Sequence, residues 1–71
     1  MSRERFLKKL GKKIVELRTE KGLSQTQLAH ACGKDPQSIE RVENGKINPS
    51  IFYLNEIAKG LEVPLKELMD F

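Results

Sequence analysis

Leu23-Ser24-Gln25-Thr26-Gln27-Leu28-Ala29-His30-Ala31-Cys32-Gly33-Lys34-Asp35-Pro36-Gln37-Ser38-Ile39-Glu40-Arg41-Val42-Glu43-Asn44-Gly45 decides the fold of this chain. Ser24 is an N-cap, and Gln27 follows at the capping-box spacing, so each side chain can satisfy the other's backbone N–H. Leu23 before the cap and Leu28 after it are placed to staple the helix start. Leu28, Ala29 and Cys32 form the inward face, and Gly33 stops the helix after about two turns. A second start follows at once. Asp35 caps it, and Pro36 suits the first helical position, where its missing N–H costs nothing. Ile39 and Val42 are the only apolar residues before Asn44-Gly45 ends the segment. Two short helices joined by a tight glycine turn read as a helix-turn-helix. The second has a narrow apolar anchor under a polar surface of Gln37, Ser38, Glu40, Arg41 and Glu43. That pattern suits a helix lying in a DNA groove.

Outward from this pair the pattern stays helical. Leu7, Leu10, Ile14 and Leu17 recur at three- and four-residue steps, which predicts a first helix from about Arg5 to Lys21, stopped by Gly22. Lys8, Lys9, Lys12 and Lys13 lie mostly off that stripe. Past Asn48-Pro49, Ser50 caps a fourth helix with Ile51, Leu54, Ile57, Ala58 and Leu61 on one face. A short fifth helix follows Pro64, with Leu65, Leu68 and Phe71 apolar. No segment alternates as a strand does. The expectation is an all-α, five-helix single domain over residues 1–71.

Composition narrows the function. The single Cys32 rules out an intramolecular disulfide, and with no signal-peptide or membrane-length apolar run the expected setting is the cytoplasm. The net charge of +3 is unevenly spread: residues 1–21 carry eight basic and three acidic side chains, and residues 51–71 carry two basic and four acidic. A basic end suits a polyanion, and the plain alternative is a solvated helix face. One His and one Cys cannot make a zinc site, and no paired carboxylates or phosphate-binding glycine loop appear, so no metal, cofactor or catalytic centre is expected. His30 is read as a surface residue and Cys32 as a small buried one.

Ile14-Val15-Glu16-Leu17-Arg18, Lys21-Gly22-Leu23-Ser24-Gln25, Leu28-Ala29, Gln37-Ser38-Ile39-Glu40, Glu43-Asn44-Gly45-Lys46, Asn48-Pro49-Ser50, Ile57-Ala58-Lys59 and Leu65-Lys66-Glu67-Leu68 occur here in order. In that order and spacing, residues 10–68 resemble the Cro/C1-type helix-turn-helix family. The family includes phage repressors, bacterial regulators, antitoxins and restriction-modification controllers. The resemblance implies a lambda-repressor-like domain whose third helix reads the major groove. It implies that Gln25 contacts a phosphate and braces a recognition-helix side chain. It implies that Gln37 and Arg41, one turn apart, read bases; Gln can pair with adenine and Arg with guanine. Ser38, Asn44 and Lys46 would hold phosphates, with Asn44 also serving as a left-handed helix terminator. Arg18 and Glu43 would form a structural ion pair.

The sequence departs from the family where Asp35 and Pro36 open the recognition helix. Relatives often carry a hydrogen-bonding residue there, whereas Pro36 offers at most contact with a thymine methyl. Relatives also often have Gly near Glu62 and a Ser cap near Pro64, so Gly60 and Pro64 are expected to shape the junction of helices 4 and 5 differently. The expected function is a sequence-specific, double-stranded-DNA-binding regulator, a repressor acting as a homodimer on half-sites about one helical turn apart. The candidate dimer residues are Phe52, Tyr53, Leu61, Val63, Leu65, Met69 and Phe71. The alternative is a protein-interaction module, such as an antitoxin or a controller component.

Overall fold

The computed structural model describes all residues, 1–71. Five helices follow one another: α1 (Arg3–Glu20), α2 (Gln25–Cys32), α3 (Pro36–Glu43), α4 (Ile51–Leu61) and α5 (Leu65–Leu68). Each of the first four starts at a polar side chain that accepts an otherwise unpaired N–H. Ser24 Oγ accepts from Gln27 N at 3.0 Å while Gln27 Oε1 accepts from Ser24 N at 2.8 Å, the full capping box. Asp35 Oδ1 accepts from Gln37 N at 3.1 Å, and Ser50 Oγ accepts from Tyr53 N at 3.0 Å.

Three boundaries differ from the sequence reading. Helix α1 begins at Arg3 rather than Arg5, because Ser2 caps it by accepting from Arg5 N at 3.1 Å. The left-handed residue after α3 is Gly45, φ 70°, and not Asn44, which stays at φ −91°. Helix α4 runs through Gly60 to Leu61 and ends at Glu62, the one non-glycine residue with positive φ (60°). Gly60 cannot end the helix because its role is spacing: a Cβ there would sit 2.9 Å from Cys32 Cβ, so it lets α4 close on the end of α2. Pro64 stands at the start of α5 with no side-chain cap bond.

The core is one cluster drawn from all five helices: Leu10, Ile14 and Leu17; Leu28 and Ala29; Ile39 and Val42; Leu54, Ile57, Ala58 and Leu61; and Leu68. Helix α2 packs on α4, α3 on both α1 and α2, and α5 on α4 and α1. Cys32 is at the edge of this cluster, half-buried, rather than inside it. The tightest approach is between α1 and α3. A Cβ on Gly11 would lie 2.2 Å from the Glu43 carbonyl oxygen, so only glycine lets the two backbones meet.

The candidate dimer residues separate into two groups. Leu61 is 1% exposed and belongs to the core, and Tyr53, Val63, Leu65 and Met69 pack partly against it. Phe52 is 67% exposed, beside Ile51 at 65%. Phe71 is partly exposed and meets Phe6 edge to face, ring centroids 5.3 Å apart.

Candidate nucleic-acid interface

Helix α3 divides its residues between two jobs. Ile39, Val42 and Glu43 are buried, and Gln37 and Arg41 are exposed on the opposite side. With Pro36, Glu40, Gln25 and Lys46 they line one shallow concavity. Arg41 makes no ion pair; the three pairs in the protein are Arg18–Glu43, Lys34–Glu56 and Lys46–Glu40. Its guanidinium is therefore free to meet an outside acceptor. Lys46, well exposed, lies 3.7 Å from the partly exposed Glu40, a contact loose enough for the ammonium to exchange partners. Asn44 is exposed in the turn between them.

Beneath that surface, Glu43 is the hub of a buried polar network. Arg18 Nε donates to its Oε2 at 2.7 Å and Nη2 to its Oε1 at 3.1 Å, the bidentate geometry of a strong pair. Arg18 Nη1 donates to the Leu23 carbonyl at 2.9 Å, tying in the turn before α2. Gln25 Nε2 donates to Glu43 Oε1 at 2.8 Å. The amide of Gln25 thus braces α3 through Glu43, not through a base-facing side chain. Helices α1, α2 and α3 are joined at one carboxylate, and the pitch of α3 is held from behind.

A second cluster fixes the other end of α3. Ser38 Oγ and Tyr53 Oη are 2.5 Å apart, a hydrogen bond between α3 and α4. The Ser38 hydroxyl is therefore engaged within the protein rather than simply displayed for a phosphate. Lys34, in the turn between α2 and α3, bonds Glu56 and lies over the Tyr53 ring, Nζ 4.8 Å from its centroid. Burial pushes the Tyr53 phenol above its ordinary pKa, and the Ser38 hydrogen bond draws it partly back. The bond to Glu56 raises the pKa of Lys34, and burial raises that of the Cys32 thiol, which favours the unreactive protonated form. The sequence reading does not single out Lys34 or Glu56, because they are 22 residues apart and no local pattern links them. His30 is exposed, apart from both clusters.

A helix-turn-helix family model matches residues 14–68. The chain belongs to the Cro/C1-type helix-turn-helix family. Among solved structures it is similar to the restriction-modification controller protein C.AhdI from Aeromonas hydrophila, with TM-score 0.86 and 40% identity, covering 87% of this chain and 94% of that one. It is also similar to the controller protein C.Esp1396I, solved as a tetramer in complex with its natural 35-base-pair operator, with TM-score 0.80 and 33% identity, covering 92% and 96% of the two chains. Among curated relatives, multiprotein-bridging factor 1b of Arabidopsis thaliana is 36% identical over 66 residues, covering 93% of this chain and 46% of the relative. The chain thus spans a little under half the length of that relative.

Proposed function

We propose that the protein is a sequence-specific double-stranded-DNA-binding transcriptional regulator that reads the major groove with α3. The observation that carries this reading is the face of α3: Gln37 and Arg41 stand exposed and Arg41 is unpaired, on a helix anchored from behind by Ile39, Val42 and the Glu43 network. Gln37 and Arg41 are the base readers, and Pro36 supplies an apolar contact. Asn44 and Lys46 hold the phosphate backbone. Ser38 and Gln25 act by bracing α3, and can still present a hydroxyl or a backbone amide to a phosphate. A single short helix reads too few base pairs for a unique site, so the protein acts as a homodimeric repressor on a two-fold operator. Of the candidate dimer residues, Phe52, with Ile51 beside it, and Phe71 are the ones left exposed for that contact. The role is binding rather than catalysis, in the cytoplasm. The likeness to controller proteins, one of them solved on its operator, supports the reading.

The test is a titration of the duplex upstream of the protein's own gene beside a scrambled duplex, across about 50–200 mM salt. Tight, salt-sensitive binding to the native duplex is expected. Arg41→Ala should weaken it by about 1–3 kcal/mol and relax selectivity at one position. Equal weakening on every sequence would make Arg41 a phosphate contact instead. A second reading, a module whose main partner is another protein, is favoured by the exposed Ile51 and Phe52 and by the bridging-factor relative. Capture of a protein partner with no salt-sensitive DNA binding would put it first.

A further inference from the structure

We propose that α1 belongs to the nucleic-acid interface: Arg5, Lys8 and Lys12 extend it from the loop after α3 along the sugar–phosphate backbone that flanks the groove α3 occupies. The inference rests on the DNA-binding reading above and adds a surface that the helix-turn-helix itself does not contain.

Charge and packing lead to it separately. Residues 1–21 hold eight basic side chains, and only Arg18 among them has an ionic partner. Arg5, Lys8 and Lys12 follow one another at steps of three and four residues, so they share one stripe of α1. All three are exposed, and with Lys9 they line a shallow groove in which Glu4 is the single carboxylate. Unpaired like charges this close repel in the free protein, and a polyanion relieves that repulsion. Round the helix from them, Lys13 faces Glu16, Asp70 and the chain end, where the charge is balanced, and Lys9 and Lys12 border both sides. The basic excess is therefore on one side of α1.

That side is the one next to the proposed DNA face. A Cβ on Gly45 would lie 2.9 Å from Lys8 Cγ and 3.0 Å from Lys8 Cα, so the loop after α3 rests directly on α1 at Lys8. One turn further along, Gly11 meets the Glu43 carbonyl, and nothing intervenes between the helices. Gly45 lies between Asn44 and Lys46, the proposed phosphate clamp. Lys8 is the next cation beyond the clamp, and Arg5 and Lys12 flank it about one turn to either side along α1. The spacing of a stripe along a helix suits successive phosphates of one strand, which add affinity and salt dependence without adding sequence information.

The test compares wild type with Arg5→Gln/Lys8→Gln/Lys12→Gln, and with Lys13→Gln/Lys59→Gln, which removes two cations that do not line that groove. Each binds a mixed-sequence duplex two to three helical turns long across a salt series, after circular dichroism has shown native helix content. Removing one cation from a phosphate lowers the slope of log K against log salt by about 0.9, so the triple variant should lower it by up to about 2.7. Between about 50 and 200 mM salt, its loss of affinity should then be about 40-fold smaller than that of wild type. The two-lysine variant should keep the wild-type slope. An unchanged slope in the triple variant, with Lys46→Ala still lowering it, would overturn the α1 inference and leave the DNA-binding reading standing. Equal reductions in both multiple variants would overturn it too, since the effect would then follow net charge rather than the stripe. Wild type that binds no duplex in a salt-dependent way would sink the underlying reading with it.

Discussion

Replacing Arg18 by methionine is the sharpest test of what holds α3 in place. The change keeps most of the apolar stem and removes three hydrogen bonds, two to Glu43 and one to the Leu23 carbonyl. Glu43 is left with its side chain 2% exposed and Gln25 as its one remaining donor. Breaking a buried pair by deleting one partner costs about 3–5 kcal/mol. The Arg18 side chain retains 13% exposure, so some water reaches the site and the lower end, about 3 kcal/mol, is expected. A domain of this size holds about 4–10 kcal/mol in total, so the loss is about 30% of it or more. At about 4–8 °C per kcal/mol, the melting temperature should fall by about 12–24 °C. Thermal and urea unfolding followed by circular dichroism read this directly. The companion Arg18→Met/Glu43→Leu removes the stranded charge as well and should recover to within about 1 kcal/mol of wild type. A single variant within about 1 kcal/mol of wild type would refute the reasoning, because that is the worth of an ordinary exposed ion pair. A double variant as unstable as the single one would refute it differently, placing the cost in packing rather than in an uncompensated carboxylate.

Gly11→Ala should destabilise by about 2 kcal/mol although helix propensity alone favours alanine by about 1, because the new methyl meets the Glu43 carbonyl and forces α1 off α3. A rise in melting temperature would show that the helices slide apart freely. Ser24→Ala should cost about 1 kcal/mol through loss of the capping box, and an unchanged urea midpoint would mean that the start of α2 is held by packing alone. Tyr53 is the only tyrosine and the chain has no tryptophan, so phenolate absorbance reports it alone. It should titrate above the usual value of about 10, and Ser38→Ala should move it further up. A raised phenol pKa means that the fold holds the neutral form; that contribution is complete below about pH 10 and is lost as pH rises through the raised value. Titration at or below the usual value would place the ring in water.

Much of the fold was legible because the chain is punctuated locally. Ser24 with Gln27, Asp35 with Pro36, Ser50, Gly22 and Gly33 each act within a turn of their own position, and the core leucines and isoleucines repeat with the helical period. What the residues alone could not show is set by partners distant in sequence. Gln25 turns inward to Glu43, 18 residues away, and Ser38 is taken up by Tyr53, 15 away. Gly11 gives no local signal; it looks like an unfavourable residue in a helix until α3 is placed against it. Glu62 shows the reverse case, a left-handed cap without the glycine that usually announces one. Of the candidate interface, the exposure of Gln37 and Arg41 follows from periodicity on a short helix, and the reading role proposed for them comes from the family resemblance. The relation of Lys8 to the loop after α3 depends on the crossing of two helices, which no periodicity contains.

The division of labour within α3 has a consequence for how such a protein changes over generations. Its outward residues, Gln37 and Arg41, take no part in the core or in the Glu43 network, and its inward ones, Ile39, Val42 and Glu43, are turned away from the reading face. On the proposed reading of α3, target preference and folding are therefore written on separate letters of one eight-residue helix. A lineage can retune its operator at the outward letters while the melting temperature barely moves, so new binding specificities are open to it without passing through unfolded ancestors.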